Sequence, residues 1–247
     1  MENLENYIEG RNPVIEALKS ERSIEKILIS KSANKGSINK IIGMAKDKRI
    51  VIQYVEKSKL DSLSDTNSHQ GVIAIVSPYS YKTVDDILEF AESKNEDPFI
   101  IILDEIEDPH NLGAIIRTAE CAGAHGVIIP KRRSAGITPT VIKTSAGAVE
   151  YIPVAKVSNI SSVIEELKIK GIWIYGAHME GEYYYEKDLK GPIGLVIGSE
   201  GKGIGRLVKE KCDFLIKIPM AGKVSSLNAS VATSIVAYEV VRQRRLD

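Results

Sequence analysis

The run "FIIILD", Phe99–Asp104, does most to constrain the fold. Five apolar residues closed by one carboxylate suit a strand buried on both faces, the position of an inner strand in a parallel sheet. Parallel neighbours need crossover connections, and the following sequence supplies them. "NLGAIIRTAECAG" has helical periodicity, "GVIIP" reads as a strand, "TPTVIKTSAGAV" as a helix, "EYIPVA" as a strand and "ISSVIEELKIKG" as a helix. "IWIYGA" and "IGLVIGSE" are further strands, "GRLVKEKC" a helix and "DFLIKIP" a strand, and a final helix runs to "VVRQRRLD". Such alternation implies an α/β domain whose parallel sheet is covered on both faces.

Upstream, residues 1–77 read as a separate small α/β unit. "NPVIEALKS" is helical, "IEKILIS" a strand, "SINKIIGMAKDK" helical, "RIVIQYV" a strand and "HQGVIAIVS" a strand after a glycine turn. Residues 78–97 read as a polar linker and a leading helix near Val84–Ser93, and residues 98–247 as the larger domain. Lys+Arg and Asp+Glu both number 33, so any nucleic-acid role rests on local patches rather than net charge. The basic clusters "KDKR" at 46–49, "KRR" at 131–133 and "RQRR" at 242–245 serve equally well as solvated surface. Two distant cysteines, Cys121 and Cys212, form no CxxC pair, which fits a reducing cytoplasm and no zinc site. No apolar run approaches membrane-spanning length, so the expectation is a soluble cytoplasmic protein.

Three stretches carry chemistry. Asn111 can cap the helix of "NLGAIIRTAECAG", in which Leu112, Ile115, Ile116, Ala119 and Ala122 share one face, with Arg117 pointing elsewhere. Arg117 and Asn111 then serve either as ordinary surface and cap, or as the mouth of a pocket beyond the strand ends. "GLVIGSEGKGIG", Gly194–Gly205, lacks the Ser or Thr after GK that a phosphate-binding loop needs, and lacks the dinucleotide fingerprint. It leaves a flexible turn with one carboxylate, Glu200, either ion-paired or part of a site. "PMAGKVSSLNASVAT", Pro219–Thr233, opens the final helix with far more hydrogen-bonding groups than one cap requires. On that helix Leu227, Val231, Ile235, Tyr238 and Val241 are expected to face the core. Ser226, Ala229, Ser230, Thr233 and Ala237 form a neighbouring small-residue face suited to close packing or a subunit contact. The acidic loop "LDEIEDPH" matches no metal-ligand spacing, so no metal is expected. "YYYEK" at 183–187 reads as packed surface tyrosines.

Taken in order, "NLGAIIRTAECAG", "GLVIGSEGKGIGRLV" and "IPMAGKVSSLNASVATSIVAYEVVRQ" resemble the three motifs of the SpoU (TrmH-like) family of SPOUT-class RNA ribose 2′-O-methyltransferases. "EGRNPVIEAL" and "HQGVIAIV" resemble the substrate-binding domain of the subgroup that methylates a guanosine of 23S ribosomal RNA, a domain of the L30e/L7Ae type. The resemblance implies a C-terminal parallel-sheet domain with a deep trefoil knot, a homodimer, and S-adenosylmethionine bound in the knot. It assigns the cofactor pocket to Gly176, Ile197, Gly198, Ile218 and Leu227, and catalysis to Asn111, Arg117, Glu200, Ser226 and Asn228. Arg117 is expected to clamp the adjacent phosphate, the proton going to phosphate, water or Glu200. Two alternatives stay open: the same chemistry on tRNA, and a non-catalytic RNA-binding protein.

Overall fold

The computed structural model describes residues 6–19, 23–33, 35–64, 68–77 and 79–245. The chain divides into two compact units, one running to Ser80 and including Gly136–Pro139, the other comprising Tyr81–Ala135 and Thr140 onward.

The first unit runs β1 (Asn6–Glu9), α1 (Arg11–Lys19), β2 (Ile24–Ser30), α2 (Lys35–Asp47), β3 (Val51–Val55), α3 (Lys57–Leu63) and β4 (Val72–Val76). Its sheet has the order β1-β4-β2-β3, with β4 antiparallel to both neighbours and β2 parallel to β3. The two-residue period of a strand sorts the side chains. Ile27, Ile29, Val72 and Ala74 meet Val14, Leu18, Ile38 and Ile41 of α1 and α2. Leu28 and Ile73 point the other way and cluster with Leu60 of α3.

The second unit begins with α4 (Val84–Ser93), which is part of its core rather than a tether, because Ile87 is fully buried against Ile100, Ile128 and Ala155. Thr83 and Asp86 form a reciprocal capping box that starts the helix. Then follow β5 (Phe99–Asp104), α5 (Pro109–Cys121), β6 (Gly126–Pro130), α6 (Pro139–Thr144), a 3₁₀ turn (Ala148–Glu150), β7 (Val154–Val157), α7 (Ile160–Ile169) and β8 (Trp173–Tyr183). A second 3₁₀ turn (Tyr184–Glu186), β9 (Ile193–Gly198), α8 (Arg206–Lys211), β10 (Phe214–Lys217) and α9 (Ala229–Arg245) complete it. The six strands are parallel in the order β10-β8-β9-β5-β6-β7. All six residues of β5 are buried, as an inner strand covered on both faces requires. On one face α7 and α8 supply Ile160, Ile164, Leu167 and Val208; α5 and α9 pack against each other, joined by Thr118 Oγ1 and Ser234 Oγ at 3.0 Å.

α9 reverses the expected core face. Val231 is 45% exposed and Tyr238 51% exposed, whereas Ala229, Thr233 and Ala237 of the small-residue face are buried, with Val236 and Val240. Interaxial distance is set by the side chains at the contact, so small residues permit the close approach to α5. At the far end Arg244 donates to the carbonyls of Gly191 (2.7 Å), Asp97 (2.9 Å) and Pro98 (3.3 Å), and Gln243 receives the Leu189 amide at 2.8 Å. Among the described residues no helix is long and apolar enough to cross a membrane.

Candidate active site at the sheet's C-terminal edge

β5 and β9 end level with each other, Asp104 opposite Gly198, and the turns that leave them build the site. α5 starts three residues earlier than the sequence suggests. Asp108, not Asn111, is its N-cap and accepts from the His110 amide at 2.9 Å, with Pro109 in the first turn. Relieved of the cap, the Asn111 amide reaches outward and donates through Nδ2 to Glu200 Oε1 at 2.9 Å.

Glu200 lies in the turn after β9. That turn folds back so closely that a Cβ on Gly198 would sit 2.1 Å from the Gly203 carbonyl carbon, so only glycine fits. Gly203 supports the fold-back with φ of +65°, and its amide donates a hydrogen bond to the Ser199 carbonyl at 2.8 Å. The turn's far end is held by Asp104, whose Oδ2 accepts from the Gly205 amide at 2.7 Å. Burial pushes the Asp104 carboxyl above its ordinary value, partly offset by that bond. Sequence reasoning missed Asp104; its one signal was a carboxylate at the end of a wholly apolar strand.

Pro219–Asn228 is irregular, so the final helix opens later than expected, at Ala229. Asn228 caps it, Oδ1 accepting from the amides of Ser230 (2.9 Å) and Val231 (3.3 Å) and from Ser230 Oγ (2.5 Å). Its Nδ2 donates to Asn111 Oδ1 at 2.9 Å and to Glu200 Oε1. The Ala229 amide also approaches Glu200 Oε1, at 3.4 Å. One carboxylate oxygen thus gathers two side-chain amides and the N-terminus of a 17-residue helix, an environment suited to negative charge. The other oxygen, Oε2, has no partner among the described residues.

Beside this cluster a cavity of about 710 Å³ is lined by Ile197, Gly198, Glu200, Ile218, Ser226 and Leu227, among others. Its mixture of apolar side chains and exposed backbone suits a ligand with an aromatic base and an apolar chain. Gly176 does not line it. The space beside its Cα is filled by Cys212, Ile204 and Leu215, and the neighbouring Ala177 and His178 form the wall instead. Burial pushes the Cys212 thiol up to about 12, so it stays a thiol at neutral pH. Ser226 is exposed at the rim rather than on the helix. Arg117 stands apart. Six positions beyond Asn111 on α5, it lies about 9 Å further along the axis and about 240° around it. It is exposed and makes no hydrogen bond or ion pair among the described residues.

Three of the four acids of "LDEIEDPH" have separate tasks: Asp104 holds Gly205, Glu105 pairs with Arg133 at 2.8 Å and Asp108 caps α5. Among the described residues no group of three or more His, Cys, Asp or Glu is placed to hold a metal. In the tyrosine run, Tyr183 and Tyr185 stack on each other at 5.4 Å and Lys217 lies over Tyr183.

The profile of the SpoU rRNA methylase family matches residues 98–238, which span this site and all six strands of its sheet. The chain belongs to the SpoU rRNA methylase family. A second profile, for the substrate-binding domain of RNA 2′-O ribose methyltransferases, matches residues 7–82. The Bacillus subtilis protein YacO, assigned to the TrmH family of tRNA/rRNA methyltransferases, is 55% identical over 240 residues, 97% of this chain and 96% of its own length. A TrmH family protein of Staphylococcus saprophyticus is 51% identical over 241 residues, again 97% and 96%. Among solved structures, the SpoU methyltransferase AviRb of Streptomyces viridochromogenes in complex with AdoMet superposes with a TM-score of 0.63 at 26% identity, covering 98% of this chain and 92% of that one. In this SpoU chain the three motif segments meet where β5, β9 and β10 end, although they are far apart in sequence.

Proposed function

We propose that this SpoU chain transfers a methyl group from S-adenosylmethionine to the 2′-hydroxyl of a guanosine ribose in 23S ribosomal RNA. The observation that carries the reading is the convergence of Asn111, Asn228 and the α9 N-terminus on Glu200 Oε1 beside the 710 Å³ cavity. The residues fit the cofactor: Ile197, Ile218 and Leu227 offer apolar walls, and Gly198 lets the 199–204 turn fold back tightly to shape the cavity's edge. When bound there, S-adenosylmethionine supplies an electrophilic methyl group.

The protein's part is alignment and proton removal. Asn111 and Asn228 fix the Glu200 carboxylate by one oxygen, so that Oε2 faces the incoming ribose and accepts the proton of its 2′-hydroxyl. Ser226 at the cavity rim steadies the ribose. Arg117 clamps a phosphate of the acceptor strand, where a fixed guanidinium fits a phosphodiester in two places. Because Arg117 projects away from the cluster on its own chain, it serves the site of a second copy. The exposed face of α9, Val231 and Tyr238, lies along the helix that α5 packs against and forms part of that homodimer contact. A trefoil knot threaded by the C-terminal segment belongs to the same reading, supported by the small residues through which α9 approaches its neighbours. Residues 1–77 bind the RNA, supported by the substrate-binding profile, and residues 98–247 carry the chemistry.

Labelled methyl transfer to unmodified 23S rRNA, with nucleoside mass spectrometry of the product, tests the reading. A 2′-O-methylguanosine product supports it; a base-methylated nucleoside overturns the acceptor assignment. Transfer to tRNA alone moves the same chemistry to the substrate also named for YacO.

A further inference from the structure

The first unit contains a cavity of about 680 Å³ between the end of β2, α3 and two motifs that the methyl-transfer site does not use, "EGRNPV" through Arg11 and "SHQGV" through Ser68–Gly71. The two turns interlock. The Arg11 amide donates to Gln70 Oε1 at 3.2 Å, Arg11 Nε donates to the Gln70 carbonyl at 3.1 Å, and Ser30 N donates to the Gly71 carbonyl at 2.9 Å. Gln70 is held at φ of +50°, an uncommon conformation for a side-chain-bearing residue. Such strain persists where the surroundings over-determine it, and it concentrates at binding sites.

The lining is polar and cationic. Arg11 and Lys57 stand at its walls with the hydroxyls of Ser30 and Ser32, which bond each other at 2.9 Å. Among the described lining residues the one carboxylate is Asp61, and it is already engaged. His69, 4% exposed, accepts the Gly71 amide at Nδ1 (3.0 Å), which leaves its Nε2 hydrogen to donate to Asp61 at 2.8 Å. A hollow with two cations, paired hydroxyls and its acid occupied is matched to an anion rather than to an apolar or cationic ligand. Phosphodiester contacts come from such Arg, Lys and Ser groups.

We infer that this cavity binds a backbone phosphate of the RNA substrate, with Lys57 and Arg11 as the charge partners and Ser32 as a hydroxyl donor. The inference rests on the proposed RNA-binding role of residues 1–77 and gives that role an address. It makes the first unit an anchor on the phosphate chain.

The test uses the full chain and fluorescently labelled transcripts of 23S rRNA fragments and of tRNA, with affinity measured across a salt series. Each phosphate neutralised on a single strand contributes about 0.7 to the slope of log K against log salt, and on a duplex about 0.9. Lys57→Ala is expected to make the slope shallower by about that amount, and Lys57→Arg to restore it. Ser32→Asp, which puts a like charge where the phosphate sits, is expected to weaken binding at least about tenfold without changing the melting temperature. Lys59→Ala, on the same helix but outside the cavity, is the control. If wild type binds RNA but Lys57→Ala and Ser32→Asp leave the slope and affinity unchanged, the inference is overturned and the methyltransferase reading stands. Equal slope changes in Lys57→Ala and Lys59→Ala also overturn it, since they would reflect general surface charge. If wild type binds neither RNA, this inference and the RNA-binding role fall together.

Discussion

Asn228 donates through Nδ2 to Asn111 Oδ1 at 2.9 Å, joining the cap of α9 to the first turn of α5 across 117 residues of sequence. Both amides then turn to the same carboxylate oxygen of Glu200. Asn228 therefore has two separable roles: Oδ1 caps the helix, and Nδ2 holds the site.

Those roles can be pulled apart. Asn228→Ser keeps an N-cap hydroxyl and removes the amide donor. Its melting temperature should stay near wild type while methyl transfer falls on the order of a hundredfold, the usual cost of misplacing a reacting group. Asn228→Ala should lose the same activity and also about 1 kcal/mol of stability. Near-normal turnover in the Ser variant would remove Asn228 from the positioning of Glu200.

A methyl group at Gly198 collides with backbone, 2.1 Å from Gly203 C and 2.3 Å from Ile204 N, and backbone cannot rotate away as a side chain can. Gly198→Ala should cost about 1–3 kcal/mol and abolish S-adenosylmethionine binding in calorimetry. Gly201→Ala, where a Cβ meets nothing within 4 Å, is the matched control and should retain binding. A Gly198→Ala protein that still binds the cofactor at wild-type affinity contradicts the placement of the pocket.

His125 is fully buried, and burial holds its imidazole below the ordinary 6.5, outweighing the opposing hydrogen bond to Glu96. Its Nδ1 accepts the Phe99 amide at 3.0 Å, which a protonated ring cannot do. With the folded pKa below the unfolded one, the unfolded chain binds the extra proton first. This contribution is intact above pH 6.5 and is lost as pH falls from there through the depressed folded value. Denaturant unfolding at stepped pH should show it, and His125→Asn should be less stable at neutral pH but flatter across that window. An equally steep profile in the variant assigns the pH dependence elsewhere.

Arg117 and Glu200 are proposed to act together across two chains, and mixing variants tests this. Arg117→Ala and Glu200→Gln should each be nearly inactive alone. Co-refolded in equal amounts they should recover about a quarter of wild-type turnover, because half the dimers are mixed and each holds one intact site. No recovery, with mixed dimers demonstrated, places Arg117 at the site of its own chain. Tyr238→Glu should shift the protein toward monomer in sedimentation and reduce turnover with it.

The parallel sheet was legible because burial on both faces leaves an unmistakable run such as Phe99–Asp104, and α5 because its apolar face is periodic. The short β1 and α3 offered too few residues for either pattern. On α9, periodicity ranked Val231 and Tyr238 as core because it counts hydrophobicity, whereas the fold buries the small Ala229, Thr233 and Ala237 of the neighbouring face. Of the site, Asn111, Glu200 and Asn228 were named by family resemblance, but their shared oxygen was not, since hydrogen bonds between distant segments have no sequence period. Asn111 was read as a cap because Asn suits that place, and only the structure shows Asp108 occupying it. Asp104 lay among look-alike acids, set apart in sequence only by its place at the end of an apolar strand and in the structure by burial and its bond to the Gly205 amide.

The position of Ile218, Leu227 and Asn228 in chain order carries a consequence for biogenesis. A ribosome emits the first unit and five strands of the second before it reaches β10, and the cavity wall and the carboxylate's last partner follow still later. Until then Glu200 stands without Asn228, and the pocket has one side. The far end of α9 is tied down by Arg244, about 24 Å along the helix from Asn228. A nascent or prematurely terminated chain can therefore carry a finished first unit while holding no complete pocket in the second. Competence arrives in one late step, as a finished product rather than by degrees.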